Sequence, residues 1–148
     1  MGGRFERWVL AGGSPSERPV AARWAVALQN DFRTRMDWCV KAGGTANRPP
    51  VARLRGADRL RVRSGAPVTL DAGNSSDPDG DRLSYEWIHY REPGGNWAEV
   101  SFEGEGSRTA FRAPAVKSPE AVHVILAVTD SGTPPLTRYR RVIVTVDP

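Results

Sequence analysis

The chain has one cysteine, Cys39, in 148 residues, so no internal disulfide can form and the fold must hold by packing or by a metal. Only two histidines are present, His89 and His123, far apart and without a cysteine or histidine at metal spacing, which leaves zinc unsupported. Each histidine is read as a strand residue on an exposed face. With no histidine near it, Cys39 lacks the base a catalytic thiol needs. The longest uncharged apolar run is six residues, from Val124 to Thr129, whereas a transmembrane helix takes about 20. No membrane span is expected. The opening MGGRFERWVLAGG lacks the apolar core and small-residue cleavage site of a signal peptide. This points either to a cytosolic protein or to a natural N-terminus that lies further upstream.

Lysine is also scarce, so the charge balance of 21 Lys and Arg against 17 Asp and Glu rests on arginine. Arg53, Arg55, Arg59, Arg61 and Arg63, then Arg138, Arg140 and Arg141, form the densest groups. Most recur at every second residue, as on the solvated face of a strand. No nucleic-acid motif accompanies them, and no nucleic-acid partner is expected.

Residues 1–46 and 47–148 differ in pattern. In the first part Trp24, Leu28, Phe32 and Met36 recur every four residues, with Ala21 and Ala25 beside them, which predicts one face of an amphipathic helix. Ser14-Pro15-Ser16-Glu17 reads as a capping box, with the helix starting properly near Pro19. The helix closes at Asp37-Trp38-Cys39-Val40, and Gly43-Gly44 ends the segment. A lone helix must bury its apolar face, here against the following domain, a second copy or an absent parent domain.

After Asn47-Arg48-Pro49-Pro50 the period falls to two. Strands are predicted near 51–54, 59–63, 67–71, 83–90, 97–102, 108–112, 121–129 and 137–147. Alternation is clearest for Val122, Val124, Leu126 and Val128 and for Val142, Val144 and Val146, while Leu83, Tyr85 and Trp87 form an aromatic inward row. Seven to eight short strands without helical interruption predict a mainly β chain: an immunoglobulin-like antiparallel sandwich with Trp87 in its core, preceded by one helix.

The stretch SSDPDGD places Asp77, Asp79 and Asp81 around a proline and a glycine. Calcium takes six to eight hard oxygen ligands. In a sandwich the loops after strands B and F share one end, which brings Asp130 near the three carboxylates, with Asn47 as a fifth candidate. The loop is no EF-hand, since the twelfth position from Asp77 is Ile88. An Asx-type turn capped by Asp77 and Asp79 stands as the alternative to a calcium site. Carboxylates so close together suit a shared ion better than the two sides of a glycosidic bond, so the chain is not read as an enzyme. Carbohydrate binding would use exposed rings, for which Trp97, Tyr90 and Phe102, around Pro93-Gly94-Gly95-Asn96, are the candidates. Packing on the sandwich is the alternative for each ring.

Three strings carry a resemblance. NRPPVA, then APVTLDAGNSSDPDGDRLSYEW, then VILAVTDSGTPPLTRYRRVIVTV resemble polycystic-kidney-disease and bacterial cadherin-like sandwich modules over residues 47–148. More narrowly, GGRFERW, QNDFRTRMDWCV and DSGTPPLTRYRRVIVTV resemble the C-terminal portion of bacterial cellulose-binding proteins with a nucleoside-hydrolase-like domain in front. The resemblance implies that residues 1–46 are the end of an upstream hydrolase-like domain and that the parent is periplasmic or extracellular. It implies cellulose or a related glucan as a polysaccharide partner. The acidic cluster that the family's larger domain needs to bind metal and activate water has no counterpart here, so a non-catalytic accessory module is expected. A calcium-stiffened spacer without sugar affinity is the other reading.

Overall fold

The computed structural model describes residues 5–8, 16–19, 23–41, 46–91, 93 and 99–148. The chain divides into two compact units, Met1–Ala46 and Asn47–Pro148.

In the first unit, β1 (Phe5–Trp8) pairs antiparallel with β2 (Ser16–Pro19). The expected capping box therefore gives way to strand, and Ser14 and Pro15 lie outside the described residues. Helix α1 runs from Ala25 to Val40. It starts six residues beyond Pro19, whose ring could not continue an i to i−4 ladder. Trp24 occupies its N-cap without a side-chain capping bond. Lys41 closes the helix by donating its backbone N–H to the Asp37 carbonyl at 2.8 Å. The helix is turned opposite to its apolar stripe: Leu28, Phe32 (67% exposed) and Met36 face outward, while Thr34 is 1% exposed.

The second unit is mainly β, with six strands in two sheets among the described residues. They are β3 (Arg59–Arg63), β4 (Pro67–Asp71), β5 (Ser84–His89), β6 (Arg108–Arg112), β7 (Glu120–Thr129) and β8 (Thr137–Asp147). One sheet has the order β3-β8-β7-β5, and β4 pairs with β6 in the other. The adjacency of β5, β7 and β8 matches the C-F-G order of an immunoglobulin-type sandwich, and β4 with β6 matches its B-E pair. One pair departs from an all-antiparallel sandwich: β3 runs parallel to β8, with Leu60 opposite Val144. The chain reaches β8 from β3 by way of the other sheet, so no hairpin fixes their relative direction.

Two predicted strands reduce to single bridges. Val51 bridges only Ser76, because Pro49 and Pro50 before it have no N–H to extend a ladder and the Arg53 N–H is taken by Ser75 Oγ at 3.1 Å. Near 97–102, residues 97 and 98 lie outside the described residues, 99–102 is not strand, and Glu103 bridges Ala110. Gly104, at φ +97° and with the Arg108 carbonyl 3.1 Å from where a Cβ would stand, turns the chain sharply there.

Alternation decides the core. Val122, Val124, Leu126 and Val128 of β7 point inward against Val142, Val144 and Val146 of β8, and all seven are essentially inaccessible. Burying each such side chain contributes roughly 1.5–3 kcal/mol. Val68, Leu70 and Phe111 close the core from the β4-β6 side. A smaller cluster of Ala72, Leu126 and Val128 fills one end, and Trp87 packs against both clusters.

Candidate functional site

The loop between β4 and β5 and the loop between β7 and β8 meet at one end of the sandwich, where the chain leading into it also lies. Asp77 organises the first loop. Its Oδ1 accepts from the N–H of Asp79 at 2.8 Å and of Asp81 at 3.1 Å, and Gly80 takes the left-handed conformation, φ +81°, that the turn requires. The Asx-type turn is therefore present. It also crowds three carboxylates, so that one oxygen each of Asp77, Asp79 and Asp81 lies within 4.8 Å of the others. Such a cluster could hold a metal ion.

Asp79 already has a cationic partner. Arg48 donates its backbone N–H to Asp79 Oδ2 and its Nε to Oδ1, both at 2.7 Å, and its Nη2 to the Pro78 carbonyl at 2.7 Å. These bonds hold the Asp79 carboxyl below its usual range. Asp81 accepts from Ser131 Oγ at 3.3 Å, which ties the first loop to the second.

Asp130 is 4% exposed. Its Oδ1 accepts three hydrogen bonds at 3.0 Å, from Asn47 Nδ2, Gly132 N and Leu136 N. Asn47 Nδ2 also donates to the Pro134 carbonyl at 2.9 Å. A Cβ on Gly132 would run into the Asn47 carboxamide, so glycine is what lets the two segments meet. Two carboxylate oxygens, Asp77 Oδ2 and Asp130 Oδ2, are buried without a hydrogen-bond partner.

The structure thus joins Asn47 to Asp130, and the Asp77–Asp81 loop to Ser131. The sequence reading missed Arg48, Ser131 and Gly132. Arg48 had a signal, since it sits beside Asn47 in NRPP.

The candidate sugar-binding rings are not gathered. Phe102 is half-buried against the core, with its ring in a T-shaped contact with Phe111 at 5.7 Å, so packing claims it as the alternative reading had it. Tyr90 is half-buried beyond the end of β5, with its N–H donating to the His123 carbonyl at 2.8 Å. Trp97 lies outside the described residues. The histidines also differ from expectation. His89 is half-buried, and His123 is 7% exposed with its Nδ1 accepting from Arg141 Nη2 at 2.7 Å. Burial, then the Arg141 guanidinium, lower the pKa of His123, and burial, then Arg91, lower that of His89.

Fold and site together define a β-sandwich module whose lead-in segment and two loops are cross-braced by carboxylates at one end. The chain belongs to the family described as the C-terminal domain of cellulose-binding protein Sde0182, whose family model matches residues 67–146. Among solved structures it is similar to a nucleoside hydrolase-related hypothetical protein from Saccharophagus degradans that is associated with carbohydrate metabolism. Identity is 32% and the TM-score 0.81, over 92% of this chain and 36% of that one. The chain therefore spans little more than a third of that protein's length. A 2,6-sialyltransferase from Vibrionaceae Photobacterium sp. JT-ISH-224 is 12% identical with a TM-score of 0.45, over 60% of this chain and 17% of that one. A titin M10–obscurin-like 1 immunoglobulin complex is 19% identical with a TM-score of 0.36, over 67% and 93%. Neither of these two bears on function. No curated protein matches the chain.

Proposed function

We propose that this chain is a non-catalytic accessory module of a secreted or periplasmic cellulose-binding, hydrolase-like protein, an immunoglobulin-type sandwich that binds carbohydrate or positions the neighbouring domain. The observation that carries the positioning role is the stapling of the lead-in segment. Asn47 is held by Asp130, Arg48 by Asp79, Val51 by Ser76 and Arg53 by Ser75. Four successive anchors give the chain a fixed direction where it enters the sandwich, as a domain that presents a neighbour requires. The outward stripe of Leu28, Phe32 and Met36 supports reading residues 1–46 as the end of an upstream hydrolase-like domain that would cover it.

Co-sedimentation with insoluble cellulose and calorimetric titration with soluble β-glucans test the sugar-binding arm. Deletion of residues 47–148 from the longer parent tests the other. Retention on a glucan, or a parent impaired by the deletion, supports the reading; failure of both overturns it.

The buried, unpartnered Oδ2 of Asp77, within the Asp77, Asp79 and Asp81 cluster, favours calcium as a second reading, a spacer stiffened by the ion without sugar affinity; Asp130 is not part of that cluster. Asp77 and Asp81 can offer oxygens, while Arg48 occupies Asp79, so the fit is partial and the ion would have to compete with the guanidinium. Calcium at 100 times its Kd would stabilise the fold by about 2.7 kcal/mol. A melting temperature that rises in millimolar calcium, and fails to rise in Asp81→Asn, is the expected result on this reading. An identical melting temperature with and without calcium rules the ion out.

A further inference from the structure

On the outer face of the four-stranded sheet, the middle strand β7 departs from the rule for a one-sided sheet, where residues alternate between apolar inward and polar outward. Its outward positions are Ala121, His123, Ile125, Ala127 and Thr129, and among them His123 and Ala127 are only 7% and 5% exposed. The registers place Glu86, Ala127 and Tyr139 in one cross-strand row and Ile88, Ile125 and Arg141 in the next. Tyr90, which donates to the His123 carbonyl, continues the pattern into a third row with His123 and Ile143.

Low aliphatic residues thus run along β7, flanked by Tyr139 on β8 and by Tyr90 just beyond the end of β5, and Tyr139 is 41% exposed. Three strands at ~4.8 Å spacing make this strip about 10 Å wide, and the ten residues of β7 make it about 33 Å long at ~3.3 Å per residue. Polar groups are spaced within it. Arg141 donates to His123 Nδ1 from both Nε, at 3.2 Å, and Nη2, at 2.7 Å. Because a guanidinium only donates, the imidazole hydrogen is fixed on Nε2, so His123 is held as a donor. Glu86 supplies acceptors at the opposite edge.

We propose that this outer face, across β5, β7 and β8, binds a single extended β-linked glucan chain, with Tyr139 and Tyr90 stacking on sugar rings and Arg141, His123 and Glu86 bonding hydroxyl groups. The proposal rests on the carbohydrate-binding arm of the function given above and on membership in the family of a cellulose-binding protein's C-terminal domain. A pyranose alternates apolar C–H faces with equatorial hydroxyls, which matches rings and aliphatics interleaved with donors and acceptors. A second sheet packed on the strip would bury the charged groups of Glu86 and Arg141, at a high desolvation cost. A peptide strand would need a sheet edge, and β7 and β8 both lie inside the sheet.

The test is calorimetric titration of the 148-residue chain with cellohexaose and a soluble β-glucan, comparing wild type with Tyr139→Ala, Tyr139→Phe, Tyr90→Ala and Trp97→Ala. Tyr139→Ala and Tyr90→Ala are each expected to weaken binding at least tenfold, with Tyr139→Phe close to wild type because the ring remains. Melting curves confirm that each variant is folded, and Tyr139→Phe guards against a loss that comes from misfolding alone. Wild-type affinity in Tyr139→Ala together with loss in Trp97→Ala would overturn the sheet-face site while leaving carbohydrate binding intact. No binding of either glucan by the wild type would overturn both.

Discussion

Asp130→Ala is expected to lower the stability of the sandwich by about 3 kcal/mol, as three donors lose their only shared acceptor in a buried corner. The Leu136 N–H is buried and those of Asn47 and Gly132 are partly so, which means water can rescue some of the loss but not all of it. For a domain of this size that corresponds to a fall in melting temperature of roughly 12–24 °C. Asp130→Asn keeps an oxygen in place and should cost less than half as much. Thermal unfolding of the three proteins checks this, and a loss below about 1 kcal/mol in Asp130→Ala would remove the carboxylate from its bracing role.

The same corner separates geometry from charge. A Cβ added at Gly132 must push the Asn47 carboxamide away, which breaks the Asn47–Asp130 bond while leaving the Gly132 and Leu136 donors in place. Trimming Asn47 to alanine removes the obstacle, so the Asn47→Ala, Gly132→Ala pair should be less destabilised than the sum of its single changes. Residues in direct contact show such non-additivity, whereas distant ones do not.

The meeting of the two loops was legible in the sequence because loop placement follows from strand order, and strand order follows from alternation. Val122 to Val128 and Val142 to Val146 announce two adjacent strands with one buried face, and the observed register pairs Val122 with Val144 and Val124 with Val142. The partner of a particular charge has no such local signal. Arg48 reads like any other arginine until the fold brings it to Asp79, thirty-one residues on. His123 was misplaced for a related reason: alternation put it on the outer face, and an outer face is ordinarily solvated, but its neighbours there are Ile143 and Arg141 rather than water. At residues 16–19 local chemistry misled in the opposite direction. Ser16 and Glu17 fit a helix start by residue type, yet pairing with β1 takes them into a strand.

Trp87→Ala should be as damaging as the loss of Asp130, through packing rather than polarity. Trp87 lies on β5 opposite Leu126 and is the aromatic residue that touches both core clusters. Its Nε1 donates to the Gly106 carbonyl at 3.2 Å, reaching the turn that leads into β6 of the facing sheet. Truncation therefore leaves a cavity where the two clusters join and frees the Gly106 turn, whose φ of +70° depends on glycine. Large-to-small changes at fully buried sites cost about 3–5 kcal/mol, and Trp87 is half-buried, so the lower end of that range applies, still a large share of the 5–15 kcal/mol that holds a typical domain together. Trp87→Phe keeps a ring in place, loses the hydrogen bond and some volume, and should cost roughly half as much. A cost of that size can unfold a marginal domain outright, so urea unfolding of Trp87→Phe supplies the measurable arm. A loss under about 1 kcal/mol there, with Trp87→Ala still folded, would mean that the two clusters stand independently and that the sheets are not coupled through this side chain.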